Sequence, residues 1–371
     1  MQPLPRKAED RRARAGVLLT ERGIPHRRVE EWKYSDLRAA LGEAGLEAGQ
    51  AEYVIASLPN EVESRDLSRP NPPEWVTDNF ARQTGNTMGA ASLALARGGI
   101  ALRVPAGVKV ADPLKLDFTG AGHVRALLVV EAGATLTLVE GAGDAGFRNV
   151  GFEIVLGAGA TLDHVRLCPA FENAVLVEEA FVRIGADAAY RGHFTGFGAK
   201  LSRMELDIAL EGRGAGVHLS GAALLDGNLH SDVTTFVRHL VGNTQSTQLF
   251  KHVAAGKSRV VYQGKVSVAE GADGSDSRQT AKAVLLGDAA EADLKPELEI
   301  LADDVQCAHG AAVGDLDAES LFYLRARGIG EAEARRMLLQ AFLEEAVEGV
   351  ADAANRELAR AALLAALENL A

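Results

Sequence analysis

At 371 residues the chain can bury a large core, in one elongated domain with appendages or in two to three compact ones. Its 39 basic against 51 acidic residues give a formal charge of −12, and such a surface repels phosphate backbones and anionic lipid headgroups, which argues against nucleic-acid or membrane-surface work. Cys168 and Cys307 are too few for a disulfide framework or a four-cysteine metal site, and this sparse cysteine usage points to a reducing, cytoplasmic compartment.

The first segment, MQPLPRKAEDRRARAG, is charged and leads into the short apolar run VLL. No stretch reaches the roughly 20 apolar residues that cross a bilayer, so neither export nor membrane insertion is expected. Residues 5–45 read as helical, with apolar residues at three- and four-residue spacing and a break at Gly23 and Pro25. Around Pro70, Pro72 and Pro73 the run SRPNPPEW reads as a linker, because proline removes a backbone donor and disfavours helix in the residue before it. Residues 1–88 thus form an N-terminal helical region with its linker.

From about residue 89 to 314 the texture changes to short runs of Val, Leu, Ile, Thr and Phe punctuated by small-residue turns. The segments VVEAGATLTLVE, IVLGAGATLDHVRL and FVRIGADAAYRGHF align on Gly133, Gly159 and Gly185, each 26 residues after the last, with further turns near Gly212 and Gly242. A repeat of this size predicts strands coiling upon their neighbours, a mainly β solenoid, with an antiparallel sandwich as the competing architecture. Residues 315–371 return to helix, with Gly328 and Gly330 as a break. A solenoid ends in unpaired strand groups, which either this helical tail or a second protein must cover.

Two phosphate-binding patterns fail on inspection. AAGKS at 254–258 has Lys251 where a P-loop needs glycine, and its flanks read as strands; GAGDAG at 141–146 matches G-x-G-x-x-G but is followed by another strand instead of a helix. No nucleotide is expected to bind this chain. Histidines 193, 218, 230, 239 and 252 fall on strands at spacings that suit surface or satisfied core residues unless stacking gathers them.

DDVQCAHGAAVG, residues 303–314, places Cys307 and His309 two apart, on one face of a strand with Val305, their Cα atoms about 6.6 Å apart. Either the pair is part of a soft-metal site, with an imidazolium lowering the thiol pKa, or it is an apolar cysteine beside a surface histidine. As a metal site it is incomplete, since zinc or an iron–sulfur cluster takes about four ligands.

The run KPELEI through LADDVQCAHGAAVGDLDAESLFYLRARGI, 295–329, closely resembles the signature of the SufB/SufD family of iron–sulfur assembly proteins, and EEWKYSDL at 30–37 resembles its SufD branch. The resemblance implies a right-handed parallel β-helix core flanked by helical regions, acting as a non-catalytic scaffold within a SufB–SufC–SufD complex. It implies pairing with SufB through the solenoid ends, docking of the SufC ATPase on the C-terminal helices, and a transient iron–sulfur cluster near the SufB interface. By motif His309, with Cys307 beside it, carries over as a cluster-assembly group whose other ligands come from SufB. SufC would grip Leu321, Phe322, Tyr323 and Leu324, with Arg325 and Arg327 pairing to acidic groups. The complex has been associated with flavin, for which this chain shows no motif. A homodimer is expected to be possible when the chain is alone. The alternatives are a stand-alone solenoid enzyme acting on carbohydrate through Asp303 with Asp304 or Asp273 with Asp276, and a purely structural SufC tether.

Overall fold

The computed structural model describes residues 6–46, 49, 51–81, 86–143 and 146–370. Helix α1 (Arg6–Arg22) is followed by a 3₁₀ turn (Glu30–Trp32), α2 (Leu37–Leu41) and a second 3₁₀ turn (Gly42–Ala44). Strands β1 (Glu52–Ser57) and β2 (Glu63–Asp66) precede helices α3 (Glu74–Asn79) and α4 (Thr87–Leu95). The repetitive part then runs through β3 (Gly99–Val104), β4 (Leu114–Thr119), β5 (Gly122–Val130), β6 (Thr135–Ala142), β7 (Phe147–Leu156), β8 (Thr161–Cys168), β9 (Phe171–Ile184) and β10 (Ala189–Gly196). It continues through β11 (Ala199–Leu210), β12 (Gly216–Leu225), β13 (His230–His239), β14 (Gln245–Ala255), β15 (Arg259–Val268), β16 (Ser275–Leu286), β17 (Glu291–Ile300) and β18 (Val305–Gly314). Helices α5 (Ala318–Ala326), α6 (Glu331–Val347) and α7 (Ala353–Glu368) complete the chain.

The chain alternates between two nine-stranded sheets, ordered β1-β4-β6-β8-β10-β12-β14-β16-β18 and β2-β3-β5-β7-β9-β11-β13-β15-β17. Pairing is parallel from β3–β5 and β4–β6 onward, so each coil adds one strand to each sheet. The N-terminal end is finished differently, by β1 and β2 pairing antiparallel to β4 and β3. This β-solenoid is the architecture the repeat predicts, although its first two strands lie within the stretch assigned from sequence to the helical region and linker.

Strand alternation sends every second residue inward. In one sheet Leu128, Ile154, Val182, Ile208, Val237, Val266 and Leu298 occupy successive positions of one interior ladder. Facing it, Leu136, Leu162, Tyr190, Val217, Ser246, Ser277 and Cys307 form another. Hydrophobic burial therefore drives the stack, with polar groups entering the interior at Glu140, His164 and Arg166 and again in the last coils.

The coil period is not constant. Thr135 pairs with Thr161, 26 residues on, but Thr161 pairs with Ala189, 28 on, and Gln245 with Asp276, 31 on. Gly133 and Gly159 do occupy the same corner site, at φ 66° and 67°, yet the next occupant is Asp187 at φ 54° and not Gly185. A backbone ladder fixes that assignment: Gly133 N–H donates to Ala158 O at 2.8 Å, Gly159 N–H to Ala186 O at 2.8 Å, and Asp187 N–H to Arg213 O at 2.9 Å. Asn243 holds the same place at φ 56°, since short polar side chains tolerate the left-handed region. Gly185 serves close approach instead, because a Cβ there would lie 2.9 Å from Leu156 O.

EEWKYSDL clamps the N-terminal segment to the outer face of the odd-numbered sheet. The Arg203 guanidinium stacks on Trp32 at 4.4 Å and binds Asp232 at 2.5 Å. Ser35 hydroxyl donates to the same carboxylate at 2.5 Å, and Lys295 pairs with Glu30 at 3.1 Å. Both Arg203 and Asp232 are buried, so removing one leaves the other charge uncompensated. Arg203→Leu is expected to destabilise the chain by about 3–5 kcal/mol and to open the N-terminal segment to protease, read by urea denaturation and limited proteolysis.

Helices α6 and α7 pack Leu339, Leu343, Ala346, Val347, Ala359 and Leu363 against Ala222, Leu224, Val253 and Val284. That is the outer face of the even-numbered sheet. Buried Lys251 reinforces the contact, pairing with Glu345 and lying 4.4 Å over the Phe342 ring. The tail thus lies along the flank of the solenoid and leaves its last coil uncovered.

Candidate functional site

Strands β17 and β18 each have a single partner among the described residues, β15 and β16, and present their other edge outward. Unpaired strand amides and carbonyls of this kind are a template for another chain. The core surfaces here as well: Leu294, Leu298, Ala302, Val305 and Cys307 pack on it while partly exposed, and Leu301 is 63% exposed. Pro296 interrupts the donor row of β17, whereas β18 carries no proline.

Cys307 and His309 stand on this last coil. Their parallel partners on β16 are Ser277 and Gln279, both buried, so the two side chains share the interior-facing side of β18 as alternation predicts. Cys307 is half-buried and His309 exposed, since no coil lies beyond them. The thiol is not activated in this setting. Burial pushes its pKa up, the Asp276 carboxylate adds to the effect, and a backbone hydrogen bond at Ser277 opposes both. The expected lowering by a neighbouring imidazolium does not offset them. Among the described residues no group of three or more His, Cys, Asp or Glu is placed to hold a metal ion.

Sequence reasoning missed the polar interior beneath the pair. Thr235, Gln248, Tyr262 and Gln279 form a buried hydrogen-bonded set, and His239 is held by Thr244 at 2.7 Å and Ser246 at 2.9 Å. A signal existed in the repeat: polar residues enter the interior positions that Leu136, Leu138 and Leu162 fill earlier, but without the register they read as outward-facing.

The other singled-out histidines are on strands, as expected. His193 bonds Ser220 and Thr195, His218 bonds Thr247, and His230 bonds Ser35. His252 is the exception, buried with neither ring nitrogen partnered among the described residues. Cys168 is buried beside Arg166, at the end of β8, far along the stack from Cys307. AAGKS is the turn between β14 and β15, and GAGDAG leads into β7, although its Asp144 and Ala145 lie outside the described residues. Asp273 and Asp304 belong to successive corners, where Asp273 Oδ1 accepts the Asp304 amide at 3.4 Å.

Beyond the open coil, Asp317 caps α5 by accepting the amides of Glu319 and Ser320. Phe322 and Tyr323 are 74% and 57% exposed, and with Leu324 and Leu338 they line a groove of about 900 Å³. Leu321 turns the other way, into a cleft with Leu316, Leu339 and Leu367. Arg325 pairs with Glu331 at 3.3 Å and Arg327 stacks on Tyr323 at 4.9 Å, so both arginines already have partners within the chain.

A family model described as "SUF system FeS cluster assembly, SufBD core domain" matches residues 117–342, from β4 into α6, and so spans the last coil and α5. The chain belongs to the SufBD family. Over 90% of its length it is 33% identical to the iron–sulfur cluster assembly protein SufD of Escherichia coli, covering 87% of that protein. An iron–sulfur cluster assembly SufBD family protein of Synechocystis is 28% identical across 92% of the chain and 87% of that protein. The iron–sulfur cluster assembly protein SufB of Bacillus subtilis is 28% identical across 70% of the chain and 58% of that protein. No described helix is long and apolar enough to cross a membrane.

The buried imidazoles of this SufBD chain are expected to make it acid-sensitive. Burial lowers His164, His193, His230, His239 and His252 to about 4. Two buried carboxylates oppose them, Glu178 raised to about 7 and Glu179 raised well above the ordinary carboxylate range, again by burial. Between about pH 6.5 and 4.5 the unfolded chain binds protons that five folded imidazoles refuse, against two that the folded carboxylates hold, so stability falls as pH falls. The urea midpoint is expected to be lower at pH 5 than at pH 7.5, and an unchanged or higher midpoint contradicts this.

Proposed function

We propose that this chain is a non-catalytic scaffold subunit of a cytoplasmic SufB–SufC–SufD-type complex, which receives a nascent iron–sulfur cluster as cargo at its open coil. One observation carries the reading: two soft donors, Cys307 and His309, stand side by side on a solenoid end that is itself an unsatisfied interface. A closed site takes about four ligands and this coil offers two, so a SufB-type partner seated on β17 and β18 would supply the rest. The unpaired strand edges and the exposed Leu301 and Val313 would be covered by the same contact. In the absence of that partner a second copy could occupy the edge as a homodimer.

His309 is the more accessible of the two donors, being exposed, while Cys307 must first lose a thiol proton that burial helps it keep. A partner that brings positive charge near Asp276 would ease that loss. His309→Ala is expected to cut cluster formation by the reconstituted three-protein complex at least about tenfold while the complex still assembles, read as bound iron and acid-labile sulfide. Undiminished iron and sulfide would remove His309 from the chemistry. The purely structural tether would then be the reading left.

The ATPase partner is assigned to α5. Exposed Phe322 and Tyr323 beside a groove suit a docking surface, whereas Leu321 supports the helical fold from inside. Phe322→Ala is expected to weaken binding of a SufC-type ATPase by about 2 kcal/mol, roughly thirtyfold in Kd, with thermal stability unchanged. Calorimetric titration of wild type and variant with the purified ATPase checks it. The carbohydrate-enzyme alternative, on Asp303 with Asp304 or Asp273 with Asp276, gains nothing from the corner placement of Asp273 and Asp304, where Asp273 is engaged by a backbone amide.

A further inference from the structure

The hydrogen bonds below His309 share one polarity, set by the orientation of the Gln248 amide, whose Nε2 is left without a partner among the described residues. Thr235 hydroxyl donates to Gln248 Oε1 at 2.7 Å, and Tyr262 hydroxyl donates to the same oxygen at 3.1 Å. With its proton so directed, the Tyr262 oxygen accepts from Gln279 Nε2 at 2.9 Å. The Gln279 amide is therefore oriented with nitrogen toward Tyr262 and oxygen away from it. Gly264 makes the arrangement possible, since a Cβ there would lie 1.9 Å from Gln279 Nε2 and 2.6 Å from the Tyr262 oxygen.

Gln279 Oε1 is left buried and without a donor among the described residues. A buried carbonyl oxygen in that state is costly and calls for a partner. The register names one. His309 is the direct parallel neighbour of Gln279 on the next and last coil, about 4.8 Å away on the same interior-facing side. Neighbouring Arg278 and Lys282 alternate outward and are exposed, so they cannot serve.

We propose that Gln279 is a positioning residue onto whose free Oε1 the exposed His309 side chain turns to donate its imidazole N–H, fixing one tautomer and leaving the other ring nitrogen unprotonated and directed out of the open coil as a donor. This rests on the reading of His309 as a cluster donor, and it adds a reason for the polar interior: Thr235, Gln248 and Tyr262 hold the amide that holds the imidazole. A metal-bound histidine is commonly oriented through its second nitrogen in this manner.

The test uses the isolated full-length chain labelled with ¹⁵N at histidine, at about pH 8, where an ordinary imidazole is neutral. The His309 pair is identified by its loss in His309→Ala. Wild type should show one protonated and one unprotonated nitrogen, Gln279→Met should show two averaged nitrogens, and Gln279→Glu, which keeps an acceptor, should restore the single tautomer. Averaged nitrogens in wild type, or an unchanged single tautomer in Gln279→Met, would overturn the proposal, and the wild-type spectrum decides even if Gln279→Met does not fold. In the reconstituted complex Gln279→Met should lower cluster formation roughly tenfold, with Gln279→Glu above it. If His309→Ala leaves cluster formation intact, the cluster reading fails by itself, and the tautomer spectra still judge the hydrogen bond.

Discussion

A parallel solenoid satisfies the backbone of each strand with the strand of the next coil, and the last coil has no next. That deficit governs this molecule. β17 and β18 carry an unpaired edge, and the apolar interior that runs from Leu128 to Leu298 stops at solvent. At the other end β1 and β2 reverse direction and close the stack with antiparallel pairing. The asymmetry gives the solenoid one finished end and one reactive end, and Cys307 and His309 belong to the second.

The helical parts leave that end free because each is held elsewhere. Trp32 and Ser35 bind the N-terminal segment to Arg203 and Asp232 on the odd-numbered sheet, and Lys251 with Glu345 anchors α6 on the even-numbered one. Both contacts desolvate charge, which is tolerable only where the partner group is fixed, and so both define a unique docking position. Rigid flanks in turn keep α5 projecting beside the open coil with Phe322 and Tyr323 in solvent. A partner on the coil and a partner on α5 would meet the same rigid body, which is the geometry a scaffold requires.

The polar part of the interior links the fold to the site. The inward ladder that starts at Leu138 already holds His164 one coil on, bonded to Glu140 and Tyr190, and the last coils place Ser246, Gln248, Ser277 and Gln279 inward. Buried polar groups are retained where each has a partner, and most of these do. An all-aliphatic interior would be the more stable choice beneath an end that exists only to be covered. The polar one is intelligible if the groups above it must be oriented.

Much of this was legible in the sequence. Gly133 and Gly159 with their flanking β-runs disclosed the coil, the Gly328 and Gly330 break divided the tail, and strand alternation put Cys307 and His309 on one face, because these are local consequences of backbone sterics and period. Other features escaped it. A constant 26-residue step misassigned Gly185 in place of Asp187, since the coil lengthens at that corner without a change in strand chemistry. Whether the tail capped the end or lay along the flank depended on apolar surface that only the assembled sheet creates, at Leu224 and Val253. The thiol pKa depended on burial and on Asp276, contributed by the preceding coil. Sequence alone determined the repeating unit and the pairing of Cys307 with His309 on one strand face; tertiary structure decided which of them reaches solvent and which groups stand behind them, because stacking joins residues about thirty apart through a register that no local pattern encodes.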